Sequence, residues 1–298
     1  MSPWLFNMYM DGVVREVNAR VMGRGVELVE EDGRRWELSQ LLFADDTVLM
    51  ADSEEKLCRI VSEFGKVCER RKLRVNVDKS KVMRCNRNGV GGRLNVSLNG
   101  EVLEEVDRFK YLGSVVEATG GVEADVCHRV NEGCKMLGAM KGVIKGRGVG
   151  MSVKKVLYEK IIVPTVLYGA ETWGTRAAER QKLNVFEMRC LRSMAGVTRL
   201  DRIRNEEVRR RTGVGRELAA QVDRSVLRWF GHMERMENER LTKKVMKARA
   251  SGEQMRGRPR FGWMDGVKRG LRDRGLSVEE AKEYARDRSG WVEIVTQR

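Results

Sequence analysis

Two amphipathic helices are predicted in the first part of the chain. Residues 4–17 are mostly apolar at helical spacing, and Ser2 and Pro3 suit the start of a helix. Asp52-Ser53 is typical of a helix N-cap, and the apolar positions after it share one helical face: Leu57, Ile60, Val61, Phe64 and Val67. Each helix is therefore expected to turn an apolar stripe towards a core.

Strand-like segments fill the rest of this region. Hairpins are predicted at Asp32-Gly33 and at Asn99-Gly100, which are turn dipeptides flanked by apolar residues. Short apolar strands are predicted on both sides of Asp45-Asp46, and the alternation of apolar and polar residues over 73–77 indicates a further strand. The order α-β-β-β-α-β-β-β, up to about residue 118, predicts an α+β layer.

From residue 121 onward the pattern is helical. Glycine-rich and arginine-rich segments separate the apolar stripes. Three buried helical faces are predicted: Val153, Val156, Leu157 and Ile161, ending before Pro164; Leu183, Phe186, Cys190, Leu191 and Met194; and Leu218, Val222, Leu227, Phe230 and Met233. This part is expected to be all-α.

The charge is unevenly distributed along the 298 residues. The chain has 58 Lys and Arg against 43 Asp and Glu, a net charge of +15. Residues 1–120 hold 19 basic and 20 acidic residues, whereas residues 121–298 hold 39 and 23, a net charge of +16. A segregated positive region favours a polyanionic partner, usually nucleic acid, over a merely solvated basic surface.

Several classes of protein are disfavoured. No apolar run approaches the roughly 18 residues needed to span a bilayer, and the first residues lack the basic segment of a signal peptide. The six cysteines form no CxxC pair, and Cys127, His128 and Cys134 lack a fourth ligand for zinc. Free thiols in a reducing compartment are the simpler interpretation.

Asp45 and Asp46 are the residues that most need a chemical explanation. Aspartate is depleted from strands, yet three apolar residues stand on each side of this pair. An exposed hairpin tip is one interpretation. The apolar flanks favour the other, in which the carboxylates end a buried hairpin and bind Mg²⁺, which takes oxygen ligands and substrate phosphates. Such a site suits two-metal phosphoryl transfer.

Four segments carry a resemblance to a known family. Phe43-Ala44-Asp45-Asp46 resembles the (F/Y)xDD box of reverse transcriptases, in the form found in non-LTR (LINE-type) retrotransposons. The other three resemble the family's neighbouring motifs in the same order and spacing: residues 2–6 (the SPxLF of QGxxxSPxLF), 73–81 (LxxNxxKT/S) and 109–113 (FKYLG). Residues 168–173, 228–232 and 257–259 resemble the region downstream of the polymerase.

The resemblance implies a fold and a site. The fold would be an α+β partial polymerase palm of antiparallel strands and helices, followed by an all-α basic thumb and tail. Asp45 and Asp46 would bind Mg²⁺ as catalytic carboxylates, and Lys79 would donate a proton to pyrophosphate. The primer grip would comprise Phe109, Tyr111, Leu112 and Gly113. From the residues alone, Lys79 also suits a solvated strand end, and the primer-grip residues suit an ordinary apolar strand.

A third catalytic aspartate is expected upstream in this family, before the Gln-Gly half of the first motif. The acidic residues that precede Asp45 lack the apolar strand context such a residue needs. We therefore expect a carboxyl-terminal portion of a reverse transcriptase, with a partial palm (1–118), a thumb-like region (119–200) and a basic helical region (201–298). Without the third carboxylate, these residues are not expected to polymerise alone.

The basic region supplies candidate contacts to nucleic acid. They are Arg209, Arg210, Arg211, Lys243, Lys244, Arg256, Arg258 and Arg260. The last three also match the core of an AT-hook, although a linker bend is the favoured interpretation. The resemblance implies an RNA template and a DNA primer as partners and an intracellular, nuclear location. The sequence itself predicts no membrane association and gives no evidence for a specific protein partner. The alternatives are a non-catalytic nucleic-acid-binding protein and a helical scaffold.

Overall fold

The computed structural model describes residues 3–85, 92–251 and 261–296. The chain forms two compact units. The first unit comprises Met1–Phe109 and Glu237–Gly257, and the second comprises Lys110–Met236 and Arg258–Arg298. A segment from the basic region thus belongs to the first unit.

The elements are numbered in chain order. They are α1 (Pro3–Val21), β1 (Val26–Glu30), β2 (Arg35–Leu38), β3 (Gln40–Phe43), β4 (Asp46–Leu49), α2 (Glu54–Arg70), β5 (Lys81–Val82), β6 (Ser97–Leu98), β7 (Glu101–Val102), β8 (Glu104–Glu105), β9 (Arg108–Tyr111), β10 (Ser114–Glu117), α3 (Glu123–Ala139), α4 (Lys141–Lys145), α5 (Met151–Leu157), α6 (Val163–Val166), α7 (Ala177–Ala195), α8 (Asn205–Thr212), α9 (Leu218–Glu234), α10 (Leu241–Lys247), β11 (Ala248–Ala250), α11 (Trp263–Arg272), α12 (Val278–Arg286) and α13 (Arg288–Thr296).

Helices α1 and α2 form the core of the first unit, as the apolar spacing predicts. The Ser53 side chain caps α2 by accepting a hydrogen bond from the Lys56 amide at 3.3 Å. The buried face of α2 includes most of the predicted positions and packs against α1: Ile60, Phe64, Val67 and Cys68 against Met10, Val13, Val17 and Val21. These side chains form a continuous apolar layer.

The strands of the first unit form small, separate sheets. The β1–β2 hairpin turns at Gly33, whose φ of 84° is one that glycine adopts readily, and the predicted Asn99-Gly100 turn joins β6 to β7. Strand β11 pairs antiparallel with β1, with Leu28 opposite Ala250. The expectation of a purely helical second region is therefore wrong at β11, which completes a sheet begun by residues more than 200 positions earlier.

Residues 73–77 do not form the predicted strand. Leu73, Val75 and Val77 are half-buried and alternate with exposed residues, as the pattern requires. No ladder joins this segment to another described strand. Its alternation therefore reflects an extended segment with one face on the core.

The second unit is mainly helical and has one large core. Helices α7 and α9 supply much of it, and their buried residues include all the positions predicted for these two helices. Phe230 is buried beside Trp291, with ring centroids 5.9 Å apart, and Trp229 is half-buried beside His232. The aromatic residues of this helix therefore contribute to packing.

Of the face predicted around Val153, only Leu157 packs against the core, and the other three positions are wrong. Helix α5 continues through a π-helical turn, Tyr158–Ile162, into α6. A π turn is wider than an α turn, and the buried residues of this stretch are Lys154, Tyr158, Ile162, Val163 and Val166. Val153, Val156 and Ile161 are exposed instead.

The sequence predicts neither a membrane-spanning segment nor a disulfide bond. In the part of the chain that the structure describes, no helix is long and apolar enough to cross a bilayer. All six cysteines are unpaired thiols.

Candidate functional site

The Asp45-Asp46 pair lies at the tip of the β3–β4 hairpin. The register pairs Phe43 with Asp46, which leaves Ala44 and Asp45 as a two-residue turn. Ala44 has a φ of 53°, and a positive φ at the first turn residue only is typical of a type II′ hairpin. The strand register therefore fixes the positions of both aspartates.

The hairpin is half-buried rather than buried. Leu42 and Leu49 pack against the α1–α2 core, whereas Phe43 is 61% exposed and both aspartates are exposed. The apolar residues flanking the pair thus anchor the base of the hairpin. The tip projects into solvent, so the expectation of carboxylates at the end of a buried hairpin is wrong.

The two carboxylates are chemically suited to a divalent cation. Neither side chain has a hydrogen bond or an ion pair to another described residue, so their oxygens are accessible to solvent. Carboxylate oxygens are preferred ligands of Mg²⁺, which keeps water or substrate phosphate in its other positions. No group of three His, Cys, Asp or Glu side chains that could hold a metal ion occurs among the residues described. The donor set at the tip therefore consists of two carboxylates.

Lys79 lies in a turn that Asn76 organises. The Asn76 side chain accepts a hydrogen bond from the Lys79 amide at 3.0 Å, and the Asn76 carbonyl accepts one from the Ser80 hydroxyl at 2.8 Å. The first contact explains why Asn stands three residues before Lys79, because it uses the Asn76 side chain, whereas the second uses a backbone carbonyl that any residue would supply. The Lys79 side chain is exposed.

The FKYLG segment forms the second candidate feature. Phe109 and Tyr111 lie in β9, Leu112 and Gly113 form the turn into β10, and the boundary between the two units falls inside β9. Phe109 is 37% and Leu112 38% exposed. Two side chains of the second unit, Arg129 and Tyr168, donate hydrogen bonds to the carbonyl groups of this turn. The sequence pattern had indicated no role for Arg129.

The arginines of α8 are engaged in ion pairs. Arg209 donates two hydrogen bonds to the fully buried Glu187, at 2.6 and 3.2 Å. Arg210 and Arg211 share Glu207. These two guanidinium groups lower the pKa of Glu207 to about 2 by hydrogen bonding. The three neighbouring arginines thus lie in two different environments, one buried and one exposed.

The other predicted basic contacts are also dispersed. Lys243 is buried, and Lys244 forms an ion pair with Glu239 at 3.0 Å. Arg256, Arg258 and Arg260 lie outside the described residues.

A basic groove in the second unit was not anticipated. It has a volume of about 280 Å³, and its walls carry the cations Lys141, Lys145 and Arg189 with no acidic residue. The remaining wall residues are Cys134, Leu137, Gly138, Ile144 and Ser193. We name it the basic groove. The only signal in the sequence was the repeated Lys-Gly pairs around α4, which the helical pattern did not single out.

Comparison with known proteins shows which family this part of the chain is similar to. The family described as reverse transcriptase (RNA-dependent DNA polymerase) matches residues 1–116, which contain Asp45-Asp46, Lys79 and the FKYLG segment. The similarity to reverse transcriptases therefore extends over residues 1–116 and includes every motif of the candidate site.

Two relatives narrow this assignment. A transposon-derived protein of Caenorhabditis elegans is 24% identical over 271 residues, which cover 87% of this chain and 95% of the relative. The RNA-directed DNA polymerase from the mobile element jockey of Drosophila melanogaster is 24% identical over 174 residues, which cover 55% of this chain and 19% of the relative. The chain is thus similar to a transposon-derived protein over most of its length and to the polymerase of a non-LTR mobile element over about half of it. No solved structure matches it.

Proposed function

We propose that the chain is the palm and thumb part of an RNA-directed DNA polymerase and that it binds an RNA template paired with a DNA primer. In this proposal residues 1–118 belong to the palm, residues 119–200 to the thumb and residues 201–298 to a basic region that contacts nucleic acid in the nucleus. The observation that carries the proposal is the exposed Asp45-Asp46 tip, held by a fixed strand register inside the segment that matches the family.

Each site residue has a physical task in this proposal. The carboxylates of Asp45 and Asp46 would hold Mg²⁺, which supplies a Lewis acid for attack of the primer 3′-hydroxyl and for departure of pyrophosphate. The exposed Lys79 ammonium would donate a proton to the leaving pyrophosphate. Phe109, Tyr111, Leu112 and Gly113 would position the primer strand.

Catalysis is proposed to require a carboxylate that these 298 residues do not provide. Asp45 and Asp46 would supply only two carboxylates to bound Mg²⁺, and loss of one fixed electrostatic group typically costs about 10²–10³ in rate. We therefore propose that the 298 residues bind a primer–template duplex without extending it.

Primer extension on an RNA template tests this division between binding and catalysis. The chain would be compared with its Asp45→Asn/Asp46→Asn variant in Mg²⁺. Binding by both proteins with extension by neither is the expected result. Extension by the chain that the double variant loses would show that two carboxylates suffice, and the proposed inactivity would be wrong. Absence of binding by both would contradict the function itself.

The basic groove favours a second candidate function, that of a non-catalytic nucleic-acid-binding protein. Three cations without an acidic neighbour in the groove wall form a local excess of positive charge. Binding of this kind requires a steep fall of log affinity with log salt concentration, because each neutralised phosphate releases counterions. A flat dependence would contradict both candidate functions and favour a helical scaffold.

A further inference from the structure

The turn of the FKYLG segment has a backbone that its sequence disfavours. Leu112 and Gly113 both have positive φ values, 48° and 87°, which is the pattern of a type I′ hairpin turn. Asn, Asp and Gly are the residues usual in such turns, and a leucine in the left-handed region is uncommon. Contacts from outside the turn must therefore help to hold it.

Two side chains supply these contacts. The Tyr168 hydroxyl donates a hydrogen bond to the Leu112 carbonyl at 3.1 Å, and Arg129 donates one from Nη2 to the Gly113 carbonyl. The Arg129 guanidinium also lies over the Tyr168 ring, 4.3 Å from its centroid. Each donor therefore restrains the other, and both turn carbonyls have fixed partners.

The same helix holds the next strand. Asp125 lies one helical turn before Arg129 in α3 and is buried. Its carboxylate accepts hydrogen bonds from the Val115 amide at 2.9 Å and from the Trp173 indole at 2.7 Å. Residues 125 and 129 thus attach the turn and the strand that follows it to α3.

The segment from Tyr168 to Trp173 packs closely against this hairpin. Gly169 has a φ of 75°, and a Cβ atom there would lie 2.8 Å from the Ser114 hydroxyl oxygen. A Cβ atom at Gly113 would lie 3.2 Å from Arg129 and 3.3 Å from Tyr168. Close backbone approach therefore explains why glycine occupies both positions.

We propose that Arg129 and Tyr168 are positioning residues that fix the Leu112–Gly113 turn in the conformation that receives the primer strand. The proposal rests on the proposed function, because it takes the FKYLG segment as the contact to the primer. It gives the Tyr168–Trp173 segment a task in primer binding: this segment and α3 support the turn that holds the primer.

Tyr168→Phe tests the proposal with minimal disturbance. It removes one hydroxyl group and keeps the ring beneath Arg129, and Tyr168 is 52% exposed, so the fold is expected to persist. Tyr284→Phe is a matched control, because Tyr284 is 51% exposed in α12, away from this turn. Arg129→Lys is the second variant, since lysine keeps the charge but lacks the planar guanidinium group.

Two measurements on the full chain are informative. Amide hydrogen exchange without nucleic acid should be faster over residues 112–115 in Tyr168→Phe and Arg129→Lys than in the chain and the control. The second measurement uses an RNA–DNA duplex with 4-thiothymidine at the primer 3′ end. Its photocrosslink to residues 109–113 should fall by about fivefold in both variants with little change in duplex affinity, as loss of one hydrogen bond implies.

The outcomes distinguish an error in the assigned primer contact from an error in the positioning role of Arg129 and Tyr168. If the unmodified chain does not crosslink within residues 109–113, the assignment of the primer contact is wrong. If it does crosslink there and both variants crosslink equally well, Arg129 and Tyr168 do not position the turn. Unchanged hydrogen exchange in both variants would contradict the proposed support of the turn independently of any nucleic acid.

Discussion

The carboxylate of Glu187 is fully buried and accepts two hydrogen bonds from Arg209, at 2.6 and 3.2 Å. Tyr158 donates a third, at 3.3 Å, from its buried hydroxyl group. Arg209 therefore satisfies a charge inside the second unit, and its removal would leave an uncompensated carboxylate there.

Arg209→Ala should consequently destabilise the protein. We expect a loss of about 3 kcal/mol in the free energy of unfolding, the cost of breaking a buried ion pair by removing one partner. Arg210→Ala is the matched control, because Arg210 lies in the next position of the same helix and pairs with Glu207 at the surface. That variant should change stability by about 0.5 kcal/mol or less. Equal losses of unfolding free energy in the two variants, measured by denaturant titration, would contradict this distinction between a buried and a surface ion pair.

Gly133 and Gly138, both in α3, should respond in opposite ways to alanine. A Cβ atom at Gly133 would lie 2.4 Å from Val166 and 2.7 Å from Phe186, whereas one at Gly138 would meet nothing within 4 Å. Gly133→Ala should lower the free energy of unfolding by about 1–3 kcal/mol through overpacking. Gly138→Ala should raise it by about 0.5–1 kcal/mol through helix propensity. Thermal unfolding of both variants would reveal whether these signs are correct.

The basic groove should contribute to the salt dependence of nucleic-acid binding. Changing Lys141, Lys145 and Arg189 to glutamine should reduce the slope of log affinity against log salt by about 0.9 for each duplex phosphate that is no longer neutralised. Changing Arg210 and Arg211 gives the corresponding test for α8. If only the changes in α8 reduce the slope, the phosphate-binding residues lie on α8 and not in the groove.

The Cys68 thiol should react slowly with thiol reagents. It should also make the free energy of unfolding depend on pH in the alkaline range. It is buried in the α1–α2 core, and burial raises the pKa of its thiol to about 11. Because the folded pKa is raised, the stabilisation is present at lower pH and is lost as pH rises above the ordinary value of 9.0 towards about 11. Cys68→Ala should flatten this decline. Thiol labelling at pH 8 should modify the half-buried Cys58 faster than Cys68.

Much of the fold followed from local sequence. Residues 54–70 form a helix with the predicted cap because Ser53 can bond the Lys56 amide, and Asn99-Gly100 turns as expected because both residues accept positive φ values. The predicted faces of α7 and α9 are confirmed. Periodicity succeeds at such places because local propensity and burial favour the same conformation.

Local sequence was insufficient where the backbone departs from regular geometry. The π-helical turn at Tyr158–Ile162 changes which residues around and after it are buried, so a period of 3.6 residues selected Ile161 where Ile162 is buried. Residues 73–77 show strand alternation, but whether a ladder forms depends on a neighbouring strand.

For the candidate site, the sequence by itself determined its chemistry. Asp45 and Asp46, the NxxKS segment and FKYLG are recognisable in the sequence, because the chemistry proposed for them depends on side-chain type and spacing. Only the tertiary structure decided what surrounds these and the other candidate residues. The hairpin tip is exposed to solvent, Arg209 pairs with a buried carboxylate, and Arg129 and Tyr168 meet on one turn. These features join residues distant in the chain, and a local pattern contains no information on which distant side chains will meet.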